Sequence, residues 1–146
     1  METGVYIAIT ASGLFFLAGL LTGVWKYRAI MSAEDHRAPY YVDICHRSAL
    51  MYSFACLVLA EFARHSAWSE PVNAWAVTVP IVFFALAVAT YAAHGWLRDT
   101  DNQLEPPHRL GGRRLPGGLV RGFMTALAIG EIGGFTILFA GFLASA

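Results

Sequence analysis

The residues of this chain able to do chemistry are few and lie within or beside long apolar stretches. In the second such stretch, at 100° per residue, Asp43, Arg47, Phe54, Glu61 and His65 fall within about 40° of one another, with His46 about 60° to one side. In the third stretch Tyr91, His94 and Arg98 share a face through i, i+3, i+7 spacing. Glu131 stands alone in the fourth, among Gly130, Gly133 and Gly134. Ionisable groups inside a membrane span cost several kcal/mol against lipid, so they are the default functional residues. Asp43, His46, Arg47, Tyr91, His94 and Arg98 are therefore the expected ligand-binding cluster, and Glu61 and Glu131 the intramembrane carboxylates. For Arg47 and Arg98 taken singly, the alternative is a side chain that snorkels to water and phosphate headgroups. For Glu131 it is a protonated or hydrogen-bonded carboxyl that fixes a helix contact, because no cation stands at its depth.

Metal chemistry has weaker support. Cys45-His46, the i, i+4 pair Glu61 and His65, and His94 are the available ligands, and none has a diagnostic spacing. Cys45 and Cys56 lie three turns apart in one expected helix and cannot bridge there. Gly111-Gly112-Arg113-Arg114 lacks the strand, lysine and Ser/Thr of a phosphate loop, which leaves headgroup binding as its expected role.

The elements that must position these residues are membrane helices. Hydrophobic residues make up 57% of the 146 and charged residues 14%, well short of the roughly one-quarter charged in soluble domains. The net charge of zero gives no reason to expect nucleic acid. Gly4 to Trp25 carries no charge across 22 positions, enough to cross a hydrocarbon core of about 30 Å. The opening Met1-Glu2-Thr3 lacks the positive start of a signal peptide, so this segment is expected to remain as an anchor. Its small residues, among them Ser12, Gly19 and Gly23, suit close helix packing.

Three more spans are expected at about 43–66, with Asp43 as N-cap, 72–97 with Pro80 inside, and 119–144. Lys26 to Tyr41 reads as an interfacial loop containing a capped turn at Ser32-Ala-Glu-Asp35, and 98–118 as a second loop. The expected fold is thus an all-α, four-helix membrane bundle forming a single domain. The side of the bundle on which its two long connections lie holds Lys26, Arg28, Arg37, Arg47, Arg98, Arg109, Arg113, Arg114 and Arg121, leaving only Arg64 on the other side. The positive-inside rule then places these connections in the cytoplasm and both termini outside. The expected location is a bacterial inner (plasma) membrane.

In size, span number, exterior termini and long cytoplasmic connections the chain resembles the MAPEG family, the membrane-associated proteins of eicosanoid and glutathione metabolism. Locally, Asp43-Ile-Cys-His-Arg47, Ala89-Thr-Tyr-Ala-Ala-His94 and Pro106-Pro-His-Arg109 look like that family's polar start of helix 2 and its Arg/Tyr/His-bearing end of helix 3. The resemblance implies a homotrimer with sites between subunits, binding glutathione or another anionic thiol cofactor and a lipophilic substrate from the bilayer. Arg47 and Arg98 would hold carboxylates, and Tyr91 or an arginine would stabilise the thiolate. A rival resemblance links His46-Arg47 and His94-Gly95 to the anchor subunits of succinate dehydrogenase. It implies haem b ligated by His46 and His94, or a bound quinone, in a larger respiratory complex. The third alternative is an accessory subunit whose polar residues only make contacts.

Overall fold

The computed structural model describes residues 2–145 and is an all-α bundle of four long helices. They are α1 (Thr3–Ser32), α2 (Tyr40–Arg64), α3 (Glu70–Leu97) and α4 (Gly117–Ala144). Each contains a window of mean hydropathy between 1.3 and 2.1 and is long enough to cross a bilayer. The protein is therefore an integral membrane protein. Consecutive helices run antiparallel, Thr3 meeting Glu70 and Ser145 meeting His65, so both described ends lie on one side of the bundle and the two longer connections on the other, here called the arginine-rich end.

Several boundaries differ from those read in the sequence. The first helix continues through the polar residues after Trp25 to Ser32, because Lys26, Tyr27 and Arg28 are good enough helix formers once a long helix is nucleated. Ser32 is thus its last residue rather than the cap of a separate turn. The second helix begins at Tyr40 after Pro39, so Asp43 lies in its first turn and is not the N-cap; α2 ends at Arg64 with His65 as C-cap. Glu70 and Pro71 open α3 instead of belonging to the preceding turn, as suits a carboxylate and a proline at a helix start. The connection after α3 is not wholly irregular, since β1 (Arg109–Leu110) and β2 (Arg113–Arg114) form a small antiparallel hairpin turning at Gly111 and Gly112. Gly111 takes a φ of 59°, open to glycine at little steric cost.

Helices α1, α2 and α3 enclose a common core of Val5, Ala8, Phe15, Cys56, Leu59, Ala60, Val77 and Phe84. Tyr52 of α2 sits between Phe15 and Phe84, stacked on the latter at 4.2 Å. Small residues set the helix spacing: a methyl at Gly19 would strike Leu50, and one at Gly23 would meet the His46 ring. The helical face carrying Arg47, Phe54, Glu61 and His65 does not look into this bundle. All four are exposed, Arg47 at 67%, so the polar stripe lies on the outside of α2.

Helix α4 packs against α3 and, more lightly, α2, without touching α1. Its buried residues are Gly134, Leu138 and Gly141, all in its second half. Pro80 stands at a close backbone approach of α3 and α4. Lacking an N–H, it leaves the Ala76 carbonyl without its usual helical partner, and that oxygen would lie only 2.7 Å from a Cβ built on Gly134. Only glycine brings its backbone this near. At the same end the Trp68 indole donates to the Ile137 carbonyl at 2.8 Å, and Ala67 N–H to Gly141 O at 3.0 Å. Thr3 donates through its N–H and hydroxyl to the Glu70 carboxylate, joining the starts of α1 and α3. The helix ends away from the arginines are thus tied together, whereas the first half of α4 has no buried residue.

Candidate functional site

The polar residues of the arginine-rich end separate into two groups. On the α1 side, Lys26 and Asp43 form an ion pair of 2.5 Å, and Arg47 reaches the other oxygen of Asp43 at 3.3 Å. His46 joins this side: its Nδ1 lies 2.9 Å from the carbonyl oxygen of Gly19. A carbonyl can only accept, so Nδ1 carries the proton. The ring packs on the α1 backbone because Gly23 provides space beside it.

The second group lies between α2, α3 and the following connection. His94 is only 3% exposed, and its Nδ1 is 2.7 Å from Oδ1 of Asp99. Oδ2 of Asp99 accepts the N–H of Gly111, so one carboxylate ties the helix end to the hairpin turn. Burial pushes the Asp99 carboxyl up, but these hydrogen bonds and the neighbouring imidazole outweigh it and hold the group below its ordinary value. Arg98 makes the geometry: as the left-handed C-cap of α3, at φ 50° and ψ 40°, it turns the chain so that Asp99 returns to His94.

Tyr41 covers the dyad. Its ring lies 5.0 Å from His94 and 5.9 Å from Tyr91, the latter stacked, and its hydroxyl accepts the Gln103 N–H at 2.6 Å. Beyond His94 opens a cleft of about 280 Å³ between α3, the connection and the divergent first half of α4. Thr90, His94, Gln103 and Arg109 give it polar groups, while Leu104, Leu110, Leu119 and Phe123 are among its apolar walls. The side-chain oxygen of Gln103 is fully buried and has no hydrogen-bond partner among the described residues. A buried acceptor without a donor is uncommon in a folded protein.

Of the six residues expected to converge, Tyr91 and His94 therefore meet through Tyr41, and Asp43 and Arg47 meet through their ion pair. The single cluster is not formed within the chain, because His46 is directed to α1 and Arg98 is an exposed turn residue beside Trp25 and Trp96. Glu61 makes exposed contacts with Arg64 at 2.5 Å and His65 at 3.0 Å. Glu131 is half-buried, with Oε1 enclosed and unpartnered among the described residues. No group of three or more His, Cys, Asp and Glu side chains with metal-binding geometry occurs among the described residues.

Sequence periodicity missed Tyr41, Asp99 and Gln103. Asp99 and Gln103 lie beyond the helix, where i, i+3 and i+4 spacing no longer says which residues meet. Tyr41 had a signal, an aromatic just ahead of Asp43, that helical phase alone did not single out.

Fold and site together define a four-span, all-α integral membrane protein with a histidine–aspartate dyad beside a cleft at its arginine-rich end. Comparison of the chain with protein-family models, with curated proteins and with solved structures finds no match.

Proposed function

We propose that this protein binds a lipophilic small molecule of quinone type in the cleft between α3 and α4, with His94 as the group that exchanges a hydrogen bond or proton with its ring. The observation that carries this reading is the Asp99-oriented His94 lining a cleft whose walls are mostly apolar. With Nδ1–H donating to Asp99, neutral His94 keeps a lone pair on Nε2 and accepts from a quinol hydroxyl. The protonated ring donates from Nε2 to a quinone carbonyl, and Asp99 stabilises that cation. A cleft of about 280 Å³ suits a ring headgroup whose tail stays in the bilayer.

Ligation of one haem by His46 and His94 is less favoured, since the two rings serve different helices and hold different partners. One observation favours the MAPEG-like reading: Arg47 and the stripe of Phe54, Glu61 and His65 face outward on α2, where a neighbouring subunit would complete an anionic thiol site.

The test is titration of the full chain in nanodiscs with a short-chain ubiquinone analogue, followed by tryptophan quenching. Saturable binding should weaken at least tenfold in His94→Ala and stay within about twofold in His46→Ala, with helicity by circular dichroism unchanged. Equal binding by wild type and His94→Ala refutes the proposal.

A further inference from the structure

The hairpin between α3 and α4 concentrates positive charge without balancing it. Arg109, Arg113 and Arg114 occupy three of the six positions from 109 to 114, and all are exposed. Arg109 and Arg114 are direct cross-strand partners. Side chains directly opposite in an antiparallel pair leave one face with their Cβ atoms about 4.5–5.5 Å apart, and like charges placed so are destabilising. None of the three forms an ion pair among the described residues. The carboxylate tied to the hairpin is Asp99, whose two oxygens already serve His94 and Gly111. Its position beneath the turn does not neutralise the guanidinium pair.

The surroundings indicate which anion would settle there. The hairpin joins two spans, α3 ending at Leu97 and α4 starting at Gly117, which puts it at the level of the headgroups. Leu110, in the hairpin itself, is 40% exposed, and Leu119, in the first turn of α4, 61%. Arg121, two residues further along, lies on a neighbouring groove lined also by Leu115 and Val120. Arg109 shares the wall of one cleft with Leu110 and Leu119, and Arg121 that of another with Leu115 and Val120, an arrangement matching an oxyanion attached to hydrocarbon. Guanidinium groups bind phosphate oxygens through paired N–H donors, a geometry that a lysine cannot reproduce.

We propose that Arg109 and Arg114 form a binding site for the phosphate of an anionic phospholipid, whose acyl chain lies along Leu110 and Leu119. The bound phosphate, with its single negative charge, offsets the repulsion within the cross-strand arginine pair and fixes the hairpin, which bounds the α3/α4 cleft. The site rests on the hairpin's charge and position, and it shares Arg109, Leu110 and Leu119 with the wall of the α3/α4 cleft, so a bound lipid and a ligand of that cleft meet there.

The experiment measures lipid binding to the purified full chain in detergent by native mass spectrometry, with dioleoyl phosphatidylglycerol, dioleoyl phosphatidylcholine and inorganic phosphate as separate probes. A basic residue at an anionic membrane surface is worth roughly a fivefold change in affinity. Arg109→Gln and Arg114→Gln should each weaken phosphatidylglycerol binding by about that factor, and the double variant by about 25-fold. Arg37→Gln, in the other long connection, should leave binding within twofold. Circular dichroism checks the fold of each variant, and the two single variants serve if the double one is poorly folded. Equal losses in Arg37→Gln would overturn the proposal in favour of diffuse surface charge, and equal affinity for phosphatidylcholine would overturn it in favour of lipid binding that does not depend on charge. Competition by inorganic phosphate as strong as that by phosphatidylglycerol would overturn its lipid component and mark a free-anion site.

Discussion

Replacing Asp99 by asparagine tests the dyad at the level of single protons. In the wild type Oδ1 faces His94 Nδ1 at 2.7 Å and Oδ2 accepts from Gly111 N–H. Asparagine retains one acceptor and presents an NH₂ in place of the other. The Gly111 amide can only donate, so the remaining oxygen must stay with it. The NH₂ then faces Nδ1 of His94, which has to become an acceptor. Neutral His94 should therefore change from the Nδ1–H to the Nε2–H tautomer, turning the free nitrogen from acceptor into donor. A hydrogen bond to a charged group contributes about 1.5–3 kcal/mol and a neutral one about 1 kcal/mol, so Asp99→Asn should cost about 1–2 kcal/mol. Neither partner is substantially screened, with side-chain exposures of 3% and 8%. Asp99→Ala, which leaves two donors without acceptors, should cost more, about 2–4 kcal/mol.

Nitrogen-15 imidazole shifts of the labelled protein in micelles report the tautomer, and denaturation in detergent reports stability. The pH dependence has a definite sign. Folding holds the Asp99 carboxyl below its ordinary value, so the native state binds this proton less tightly than the unfolded chain. Its stabilising contribution is complete above the unfolded value near ~4 and disappears as pH falls through the lower folded value. The stability gap between wild type and Asp99→Asn should accordingly close in acid below about pH 4. An unchanged Nδ1–H tautomer in Asp99→Asn, or a gap that persists in acid, would refute this account of the dyad.

Two glycines of α4 make a paired prediction. Gly134→Ala places a methyl 2.6 Å from Pro80 Cγ and 2.7 Å from the Ala76 oxygen, and should destabilise by about 1–3 kcal/mol, whereas Gly133→Ala meets nothing within 4 Å and should be nearly neutral or slightly stabilising. Melting of both variants in the same detergent decides it. Orientation is tested by a cysteine at position 33 on a background lacking Cys45 and Cys56: an impermeant reagent should label it only from the cytoplasmic side, and labelling from outside intact cells would reverse the topology.

The number of spans was legible in the sequence because lipid imposes a one-dimensional requirement. About twenty apolar residues must follow one another, and the four helices satisfy it. The sidedness of charge was readable for the same reason, being a matter of which helix end or connection each arginine occupies. Helix ends were less legible: Lys26 to Ser32 is polar enough for a loop yet continues α1, since polarity marks where a helix leaves lipid and not where its hydrogen bonding stops. Helical phase grouped Tyr91 and His94, which both pack on Tyr41, with Arg98, which does not, and also placed Arg47, Phe54, Glu61 and His65 on one face. It could not tell whether that face meets protein, and packing turned it outward. The partition of the two histidines was decided only in three dimensions. His46 went to α1 because Gly19 and Gly23 let a ring approach the backbone there, and His94 went to Asp99 because a left-handed turn at Arg98 reverses the chain. Periodicity describes one helix at a time. The dyad, the unpartnered Gln103 oxygen and the cleft depend instead on distances between separate helices and a returning loop, which packing alone determines.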